Sequence, residues 1–378
     1  MKKRLIWALL LLALLAGCVR QKEAEPSATE TVTWESLHVE RSMELQFASQ
    51  FSVDYCQGGY KKITIGADSE YLVVPEGAEI PGGIPESTTV LQQPLDNIYL
   101  VATSAMDLFR ALDAMDTITL SGTDASGWYI PEARQAMEAG QMIYAGKYSA
   151  PDYELILDQG CDLAVESTMI YHTPEVREQL ERFGIPVLVE RSSYESHPLG
   201  RMEWLKLYGA LLNREERAQA CFDALMEGVT PILEQENTGK TVAFFYFTSN
   251  GAVNIRRSGD YIAQAIGLAG GVYVPRNLEE ADNALSTMNI QMETFYETVR
   301  DADILIYNST IDGELETIDQ LLEKSAVLGD FKAVQEGHVW CTGKNLFQES
   351  LGLGELIQDL HAVMTGEDPA LTYLRLLA

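Results

Sequence analysis

Short runs of β-branched and aromatic residues alternate with stretches of helical apolar spacing in the first half of this chain. The predicted strands are 98–102 (IYLVA), 117–120 (TITL), 162–166 (DLAVE) and 186–190 (PVLVE), and the predicted helices are 104–115, 131–139 and 174–183. Strands that alternate with helices are typical of a parallel sheet covered on both faces. Ahead of this series, 62–65 and 71–74 predict a small hairpin-like start.

The alternation stops at 199–236, where apolar residues recur at helical spacing almost throughout. This is long for a globular helix, and Pro231 is expected to bend or end it. A second series follows, with predicted strands 241–247, 303–307 and 338–341 and predicted helices 261–268, 291–300, 314–323 and 350–364. The pattern predicts an α/β protein in which two Rossmann-like lobes are joined by a single long helix.

The first residues have a different pattern. Three cations precede twelve apolar residues at 5–16, and Gly17 and Cys18 follow. A membrane span needs about twenty apolar residues, so this run has instead the layout of a secretory signal. Its ending, Leu-Ala-Gly-Cys, resembles the lipobox of bacterial lipoproteins, whose cysteine is acylated and becomes the N-terminus. We therefore expect a protein held at the outer face of the cell membrane by a lipid on Cys18.

These patterns divide the chain into five parts. Residues 19–33 are polar and lack apolar periodicity, as in a solvated linker. The predicted boundaries are 1–18 for the lipoprotein signal peptide, 19–40 for the flexible linker, 41–197 for the N-terminal lobe, 198–237 for the connecting helix and 238–378 for the C-terminal lobe.

Charge limits the partners. The full chain has a formal net charge of −29, and loss of residues 1–17, with three cations and no acid, makes it −32. Nucleic acid binding requires a basic face, so this acidity argues against it. It also disfavours a peripheral grip on anionic lipid, which leaves the acyl chains as the means of membrane attachment.

Cysteine and histidine spacing does not indicate a metal site. Cysteines 56, 161, 221 and 341 show no C-x-x-C pair, and buried thiols are expected, although the compartment would permit a disulfide. The five histidines are scattered, without H-x-x-x-H or H-E-x-x-H, which disfavours a metal held by protein ligands alone.

Motifs for catalysis are equally scarce. The chain has no G-x-S-x-G elbow, no P-loop and no G-x-G-x-x-G after a predicted strand, so we do not expect an enzyme. A secreted hydrolase with a carboxylate pair and a surface adhesin remain as remote alternatives.

Four segments in this order, behind a lipobox, resemble the solute-binding proteins of ABC importers for ferric siderophores, haem and cobalamin. They are 153–166 (YELILDQGCDLAVE), 174–190 (PEVREQLERFGIPVLVE), 259–271 (GDYIAQAIGLAGG) and 292–307. Most members have Pro where this chain has Cys161. The resemblance covers about residues 40–366. It implies the class III periplasmic-binding-protein fold, a monomer, a permease dimer with ATPase subunits as partners, and a ferric siderophore-type chelate as ligand, or alternatively haem or a corrinoid.

Residues that follow the predicted strands are the candidate ligand contacts, because ligands of open α/β sheets lie beyond the carboxyl ends of the strands. Guanidinium groups can bind carboxylate or catecholate oxygens, and aromatic rings can cover an organic chelate. The alternative for each aromatic residue is a place at the rim of the core. The candidates are Trp128, Tyr129, Tyr148, Arg191, Tyr194, His197, Tyr246, Asn250, Arg256, Tyr307 and Trp340.

Two of these candidates carry a further question. Arg256 and Arg257 are adjacent, so at most one is expected to face the cleft. His197 could be an axial ligand of haem iron or corrinoid cobalt, but it also precedes Pro198 and could simply cap the long helix.

Glu154 and Glu293 are the candidates for permease docking. In the family that the chain resembles, one exposed glutamate on each lobe meets arginines of the permease. Each residue here begins a predicted helix that leads into an Asp-led strand, at Asp162 and Asp303. A glutamate in the first helical turn is also stabilised by the helix dipole, which is the alternative role.

Overall fold

A computed structural model describes residues 32–67, 69–276, 278, 287–367 and 369–378, so Cys18 and the first part of the predicted linker lie outside the described residues. The strands are β1 (Val39–Ser42), β2 (Phe51–Cys56), β3 (Lys61–Ile65), β4 (Ser69–Val74), β5 (Thr88–Gln92), β6 (Ile98–Leu100), β7 (Ile118–Ser121), β8 (Ile143–Tyr144), β9 (Gly146–Lys147), β10 (Ala150–Pro151), β11 (Leu163–Ser167), β12 (Val187–Glu190), β13 (Thr241–Phe247), β14 (Val253–Arg256), β15 (Val272–Val274), β16 (Thr287–Ile290), β17 (Ile304–Tyr307), β18 (Val339–Thr342) and β19 (Leu374–Leu376).

The α-helices lie between and after these strands. They are α1 (Met106–Ala111), α2 (Pro131–Glu138), α3 (Tyr153–Asp158), α4 (Pro174–Arg182), α5 (Pro198–Leu211), α6 (Glu215–Leu233), α7 (Tyr261–Leu268), α8 (Met292–Val299), α9 (Ser309–Asp312), α10 (Ile318–Lys324), α11 (Lys332–Glu336) and α12 (Leu353–Thr365). No helix among the described residues is long and apolar enough to cross a membrane.

The first lobe contains the parallel sheet that the sequence predicts, in the order β12-β11-β6-β7-β8. The alternation of side chains along β11 sends Leu163 and Val165 into one hydrophobic cluster and Ala164 into another, on the opposite face. Both faces are therefore covered, which explains why the strands are apolar at nearly every position.

The N-terminal region is larger than predicted. In place of a hairpin, β1 to β5 form a five-stranded sheet that is antiparallel except for the β4–β5 pair. The predicted linker boundary at residue 40 is also wrong, because Thr33 forms a bridge with Gly82 and Leu37 is buried against this sheet. Strand β1, which includes Glu40 and Arg41, is exposed along its whole length. Its sequence therefore lacks the apolar periodicity that would predict a strand.

The second lobe has a mixed sheet in the order β16-β14-β13-β17-β18-β19, with β15 paired to the first half of β13. Strands β13, β17 and β18 are parallel, as the second series predicts, whereas β14, β16 and β19 pair in antiparallel fashion. The two-lobe α/β architecture is confirmed, and the antiparallel strands are additions that the sequence pattern did not indicate.

The predicted single connecting helix is two helices, α5 and α6, separated at 212–214, where Asn213 has a φ of 55°. The last carbonyl groups of α5 accept bonds from the N-terminal region: Lys61 Nζ lies 2.6 Å from the Ala210 oxygen and Gln93 Nε2 lies 2.7 Å from the Leu211 oxygen. These donors satisfy the helix end and so permit the break. Pro231, by contrast, lies inside α6.

Helix α5 is buried along its whole length, although it contains charged residues. The Glu203 carboxylate accepts the backbone N–H groups of residues 46, 47 and 48 at 2.8–3.0 Å and also pairs with Lys206 at 2.8 Å. Glu195 accepts the N–H groups of Ser49 and Gln50 in the same way. The chain before β2 thus lies across α5, and one continuous core joins the helix to both lobes.

Candidate functional site

A cavity of about 420 Å³ lies between the lobes. Such a volume is within the range of small-molecule sites, about 300–1,000 Å³. Hydroxyl, charged and aromatic side chains line it together. The lining residues are Thr103, Ser104, Ser167, Thr168, Met169, Glu190, Ser193, Tyr194, Arg201, Arg256, Asp260, Tyr261, Thr287 and Phe347.

The first lobe contributes the residues at the carboxyl ends of β6, β11 and β12, where ligands are expected for a parallel sheet. Glu190 ends β12 and is only 3% exposed. Its carboxylate accepts the Ser104 hydroxyl at 3.0 Å and the Ser192 backbone N–H at 2.7 Å. This negative charge is therefore held by neutral donors.

The second lobe contributes an ion pair in an aromatic surrounding. Arg256 ends β14, and its Nη1 lies 3.4 Å from Oδ2 of Asp260, which also caps α7 by accepting the Ile262 N–H. The Arg256 guanidinium lies 5.0 Å from the centre of the Phe347 ring and 5.5 Å from that of Phe244. Burial acts to lower the pKa of Arg256, but Asp260 together with Tyr261 and Tyr273 outweighs it, so the guanidinium keeps its charge.

A second guanidinium reaches the cavity from the connecting helix. Arg201 on α5 is 6% exposed, and its guanidinium lies 4.0 Å from the centre of the Tyr261 ring. Among the described residues, no carboxylate oxygen lies within 4.0 Å of its nitrogen atoms. The cavity therefore holds two guanidinium groups, of which one is paired with a carboxylate.

Tyr194 and Arg256 are the sequence candidates that line this cavity, and Arg256 rather than Arg257 is therefore the one at the cleft. Arg191 lies beside the cavity. Its Nη1 is 3.2 Å from the Tyr171 hydroxyl, and its guanidinium stacks at 4.7 Å on the ring of Tyr194.

His197 caps a helix instead of reaching the cavity. Its Nδ1 accepts the Leu199 N–H at 3.2 Å, and its ring stacks on Phe47 at 4.8 Å. Burial lowers the pKa of His197, in keeping with a neutral ring. This geometry corrects the expectation of a ligand contact or axial ligand, because the capping role uses Nδ1 and the ring packs against Phe47.

Three aromatic candidates belong to the core. Trp128 is fully buried, with its indole N–H 3.2 Å from the Ser121 hydroxyl, and Tyr307 is fully buried, with its hydroxyl 2.9 Å from Asp312. Trp340 is half-buried and packs against the shared core. These positions correct the expectation that the three rings line the cleft, because each points from its strand or loop into a hydrophobic layer.

The remaining candidates also lie outside the cavity. Tyr246 packs against the core of the second lobe, Tyr148 against that of the first, and Asn250 is exposed in the turn between β13 and β14. Tyr129 is exposed, but its backbone N–H donates to Oε1 of Gln348 at 2.7 Å. Since Gln348 Nε2 also donates to the Gly127 oxygen at 2.7 Å, this pair bridges the two lobes.

No sequence pattern marks Arg201, Glu190 or Asp260 as cavity residues. Arg201 lies within a predicted helix. Glu190 ends a predicted strand and is followed by Arg191, which is the residue that the sequence predicts as a ligand contact. Asp260 precedes the predicted helix at 261–268, so its capping role was the obvious one. The approach of α5 to α7 brings Arg201 and Asp260 to the cavity, and the end of β12 adds Glu190 from the first lobe.

Glu154 and Glu293 are exposed residues in the first turns of α3 and α8, one on each lobe. The following strands are also matched. Asp162 Oδ2 accepts the backbone N–H groups of Asp96 and Asn97 at 3.0 Å, and Asp303 Oδ2 accepts that of Thr241 at 2.8 Å. The two glutamates therefore occupy equivalent places in the two lobes.

Neither a disulfide nor a resident metal site is found in the described part of the chain. Cys56, Cys161, Cys221 and Cys341 are free thiols. No group of three or more His, Cys, Asp and Glu side chains within the described ranges could hold a metal ion.

Residues 100–346 match the family model described as periplasmic binding protein. Two lipoproteins of Methanocaldococcus jannaschii, both described as uncharacterized, are similar along nearly the whole chain. One is 22% identical over 97% of this chain and 94% of its own, and the other is 21% identical over 99% of both.

Solved structures show the same fold at low identity. A periplasmic haem-binding protein of Vibrio cholerae matches with a TM-score of 0.57 and 18% identity, over 70% of this chain and 97% of its own. A protein of the Fe³⁺-hydroxamate transport system of Saccharomonospora viridis matches with a TM-score of 0.55 and 20% identity, over 71% and 93%. The N-terminal sheet β1–β5 precedes the region that the family model matches.

Proposed function

Because the chain belongs to the periplasmic binding protein family, we propose that it captures a ferric siderophore-type chelate between its lobes and delivers it to an ABC permease. The observation that carries this proposal is the buried guanidinium of Arg256 in the interlobe cavity, surrounded by aromatic rings. A buried cation favours an anionic ligand, and the rings can contact the organic part of a chelate. The protein acts as a carrier and not as an enzyme.

The test is a thermal-shift and calorimetric screen of the purified protein with ferric citrate, ferrioxamine B, a ferric triscatecholate, haemin and cyanocobalamin. We expect a ferric chelate to raise the melting temperature and to be recovered unchanged, while the iron-free chelators give a smaller shift. The visible spectrum of protein purified from its host separates the ligand classes. A Soret band would replace the proposed ligand by haem, corrinoid bands would replace it by cobalamin, and turnover of a chelate would contradict the carrier role.

We also propose that Cys18 is acylated and holds the mature protein at the outer face of the cell membrane. The matching lipoproteins and the signal-like N-terminus support this. Cys18→Ser is expected to leave the protein unprocessed or to shed it from the membrane fraction, whereas Cys221→Ser, which alters a thiol within α6, is the matched control. Unchanged anchoring and mature mass in Cys18→Ser would contradict the proposal.

Docking to the permease is proposed at Glu154 and Glu293. Their exposure, their equivalent places on the two lobes and the absence of a described ion pair to either side chain leave both carboxylates free to meet cations. Exposed charges of this kind act mainly through the rate of encounter, and their effect weakens with salt.

A further inference from the structure

Two charged side chains of the interlobe cavity form no ion pair within 4.0 Å among the described residues, although the charge of Asp260 also acts on Arg201. Arg201 faces the ring of Tyr261, and Glu190 accepts only a hydroxyl and a backbone N–H. Arg256 and Asp260 differ from them because they pair with each other at 3.4 Å. Charged groups this deeply buried are ordinarily paired.

No ion pair of the described structure uses these two charges. The Arg201 guanidinium contacts the side chain of Tyr261, and Arg201 is the one charged residue of α5 that lacks a described carboxylate within 4.0 Å, whereas Glu203 and Lys206 pair at 2.8 Å. Glu190 ends β12, where a neutral side chain could equally accept the Ser104 hydroxyl and the Ser192 N–H. Both side chains line the cavity, so a ligand can reach them.

We infer that Arg201 and Glu190 form a recognition pair that selects a chelate bearing both an anionic oxygen and a free hydroxyl or ammonium donor. This inference rests on the proposed function of the cavity. Arg201 binds the anionic oxygen through its fixed fork of N–H donors. Glu190 accepts the donor and disfavours a ligand that offers only acceptors, because such a ligand would leave a buried carboxylate facing another negative group.

The pair explains why a cavity for an anionic ligand contains the Glu190 carboxylate besides the paired Asp260. Six serine and threonine side chains also line the cavity and suit a ligand that is rich in oxygen: Thr103, Ser104, Ser167, Thr168, Ser193 and Thr287. Arg201 further places one ligand contact on the helix that joins the lobes. A chelate that binds Arg201 and Arg256 together therefore bridges α5 and the second lobe.

Three probes separate the two parts of the pair. Ferrioxamine G offers a free carboxylate and a free ammonium group, haemin offers carboxylates without a donor on its ring, and ferrioxamine B offers an ammonium group without a carboxylate. Each is titrated by calorimetry into the full mature chain and into Arg201→Gln, Arg201→Lys and Glu190→Gln. Arg41→Gln is the control, because the Arg41 guanidinium also stacks on an aromatic ring, at 3.5 Å from the centre of Tyr55, but outside the interlobe cavity.

We expect the unaltered protein to bind ferrioxamine G best. Loss of a hydrogen bond to a charged group corresponds to about a tenfold to a hundredfold change, so Arg201→Gln should weaken the binding of ferrioxamine G by that factor and leave that of ferrioxamine B unchanged. Arg201→Lys should be intermediate, since it keeps the charge and loses the fork. Glu190→Gln should weaken the binding of ferrioxamine B and improve that of haemin relative to ferrioxamine G, and Arg41→Gln should alter none.

Equal binding of ferrioxamine G by Arg201→Gln and the unaltered protein would overturn the inference and leave the proposed function intact. So would an equal loss for all three probes in Arg201→Gln, because that result indicates a structural role for the Arg201–Tyr261 contact. Preference of the unaltered protein for haemin or for ferrioxamine B would also overturn it. If the unaltered protein bound no chelate, the proposed function itself would fail, and this result would not depend on any of the variants.

Discussion

Strand β11 of the first lobe and strand β17 of the second each follow an aspartate whose side chain accepts backbone N–H donors at the start of the neighbouring strand. The pKa values of the carboxyl groups beside these two strands nevertheless shift in opposite directions. Burial raises the pKa of Asp162, against the N–H bonds of Asp96 and Asn97, and burial raises that of Glu166 to about 8. In the first lobe, burial therefore raises the pKa of the carboxyl groups around β11.

Cations reverse this tendency in the second lobe. Burial acts to raise the pKa of Asp303, but hydrogen bonds from Lys332 and Thr241 lower it to about 2. A hydrogen bond from Lys324 lowers the pKa of Asp312. Helices α10 and α11 supply lysines in the second lobe, whereas no described cation pairs with Asp162 or Glu166 in the first. The same strand motif can therefore make stability rise or fall with pH.

The lobes also differ in how they contribute to the cavity. The first uses the carboxyl ends of parallel strands, whereas the second uses the end of antiparallel β14, the start of α7 and the start of β16. Of the residues at and after its parallel strands, Phe347 after β18 lines the cavity, whereas Tyr307 at the end of β17 and Asn250 after β13 lie elsewhere. The rule that ligands lie beyond parallel strands therefore locates only part of this site.

The largest expected effect compares the arginines of the two lobes. Arg256→Ala should cost about 2–5 kcal/mol of binding free energy for the chelate that stabilises the protein, part of it from leaving Asp260 buried and unpaired. Arg191→Ala should cost less, because Arg191 lies beside the cavity and already contacts Tyr171 and Tyr194. Calorimetric titration, with the unfolding temperature as the check on folding, decides it. Equal losses would mean that both lobes hold the anion alike.

Replacement of Glu166 should give the next largest effect, a pH-dependent change in the free energy of unfolding. A folded pKa near 8, above the ordinary value near 4.5, means that stability is highest below about pH 4.5 and falls as the pH rises to about 8. Glu166→Gln removes this dependence and should exceed the unaltered protein in unfolding free energy at pH 7 by up to about 3 kcal/mol, while the two are similar near pH 4.5.

Urea unfolding at pH 4.5, 6 and 8 measures this difference, and Glu154→Gln, an exposed change in the same lobe, is the control. Parallel pH curves for Glu166→Gln and the unaltered protein would show that Glu166 ionises normally in the folded state.

The effect of Asp303→Asn on the free energy of unfolding should be smaller than that of Glu166→Gln and opposite in sign. Because the folded pKa is below its ordinary value, the stabilisation is present above about pH 4 and is lost as the pH falls to about 2. Removal of the charge should cost about 1–2 kcal/mol at pH 7, since the Lys332 pair is partly exposed and screened. Asp162→Asn is the matched change in the first lobe and should cost less. An equal or larger loss for Asp162→Asn would contradict the contrast between the lobes.

Glu154→Ala and Glu293→Ala should have the smallest effect on the protein alone. A carboxylate in a first helical turn contributes about 0.3–1 kcal/mol, so the melting temperature should fall slightly and ligand affinity should not change. ATPase stimulation of the reconstituted importer should fall in each variant and further in the double variant. Full stimulation by the double variant would show that the two glutamates only stabilise their helices.

Much of the architecture follows from the sequence alone, because strand and helix periodicity is a local property. Strands β6 and β12 lie within the predicted runs, β7 and β11 each extend one residue beyond theirs, and the Asp-led strands at Asp162 and Asp303 are matched elements. The sequence likewise excluded a basic surface, and it indicated a cleft between two lobes.

Tertiary structure decided the rest. The break between α5 and α6 depends on Lys61 and Gln93, which lie more than a hundred residues away in the chain. Trp128 looked like a ligand contact and is core, whereas Arg201 looked like an ordinary helical residue and reaches the cavity. Burial and long-range hydrogen bonds set these outcomes, and neither can be read from the spacing of residues along one segment.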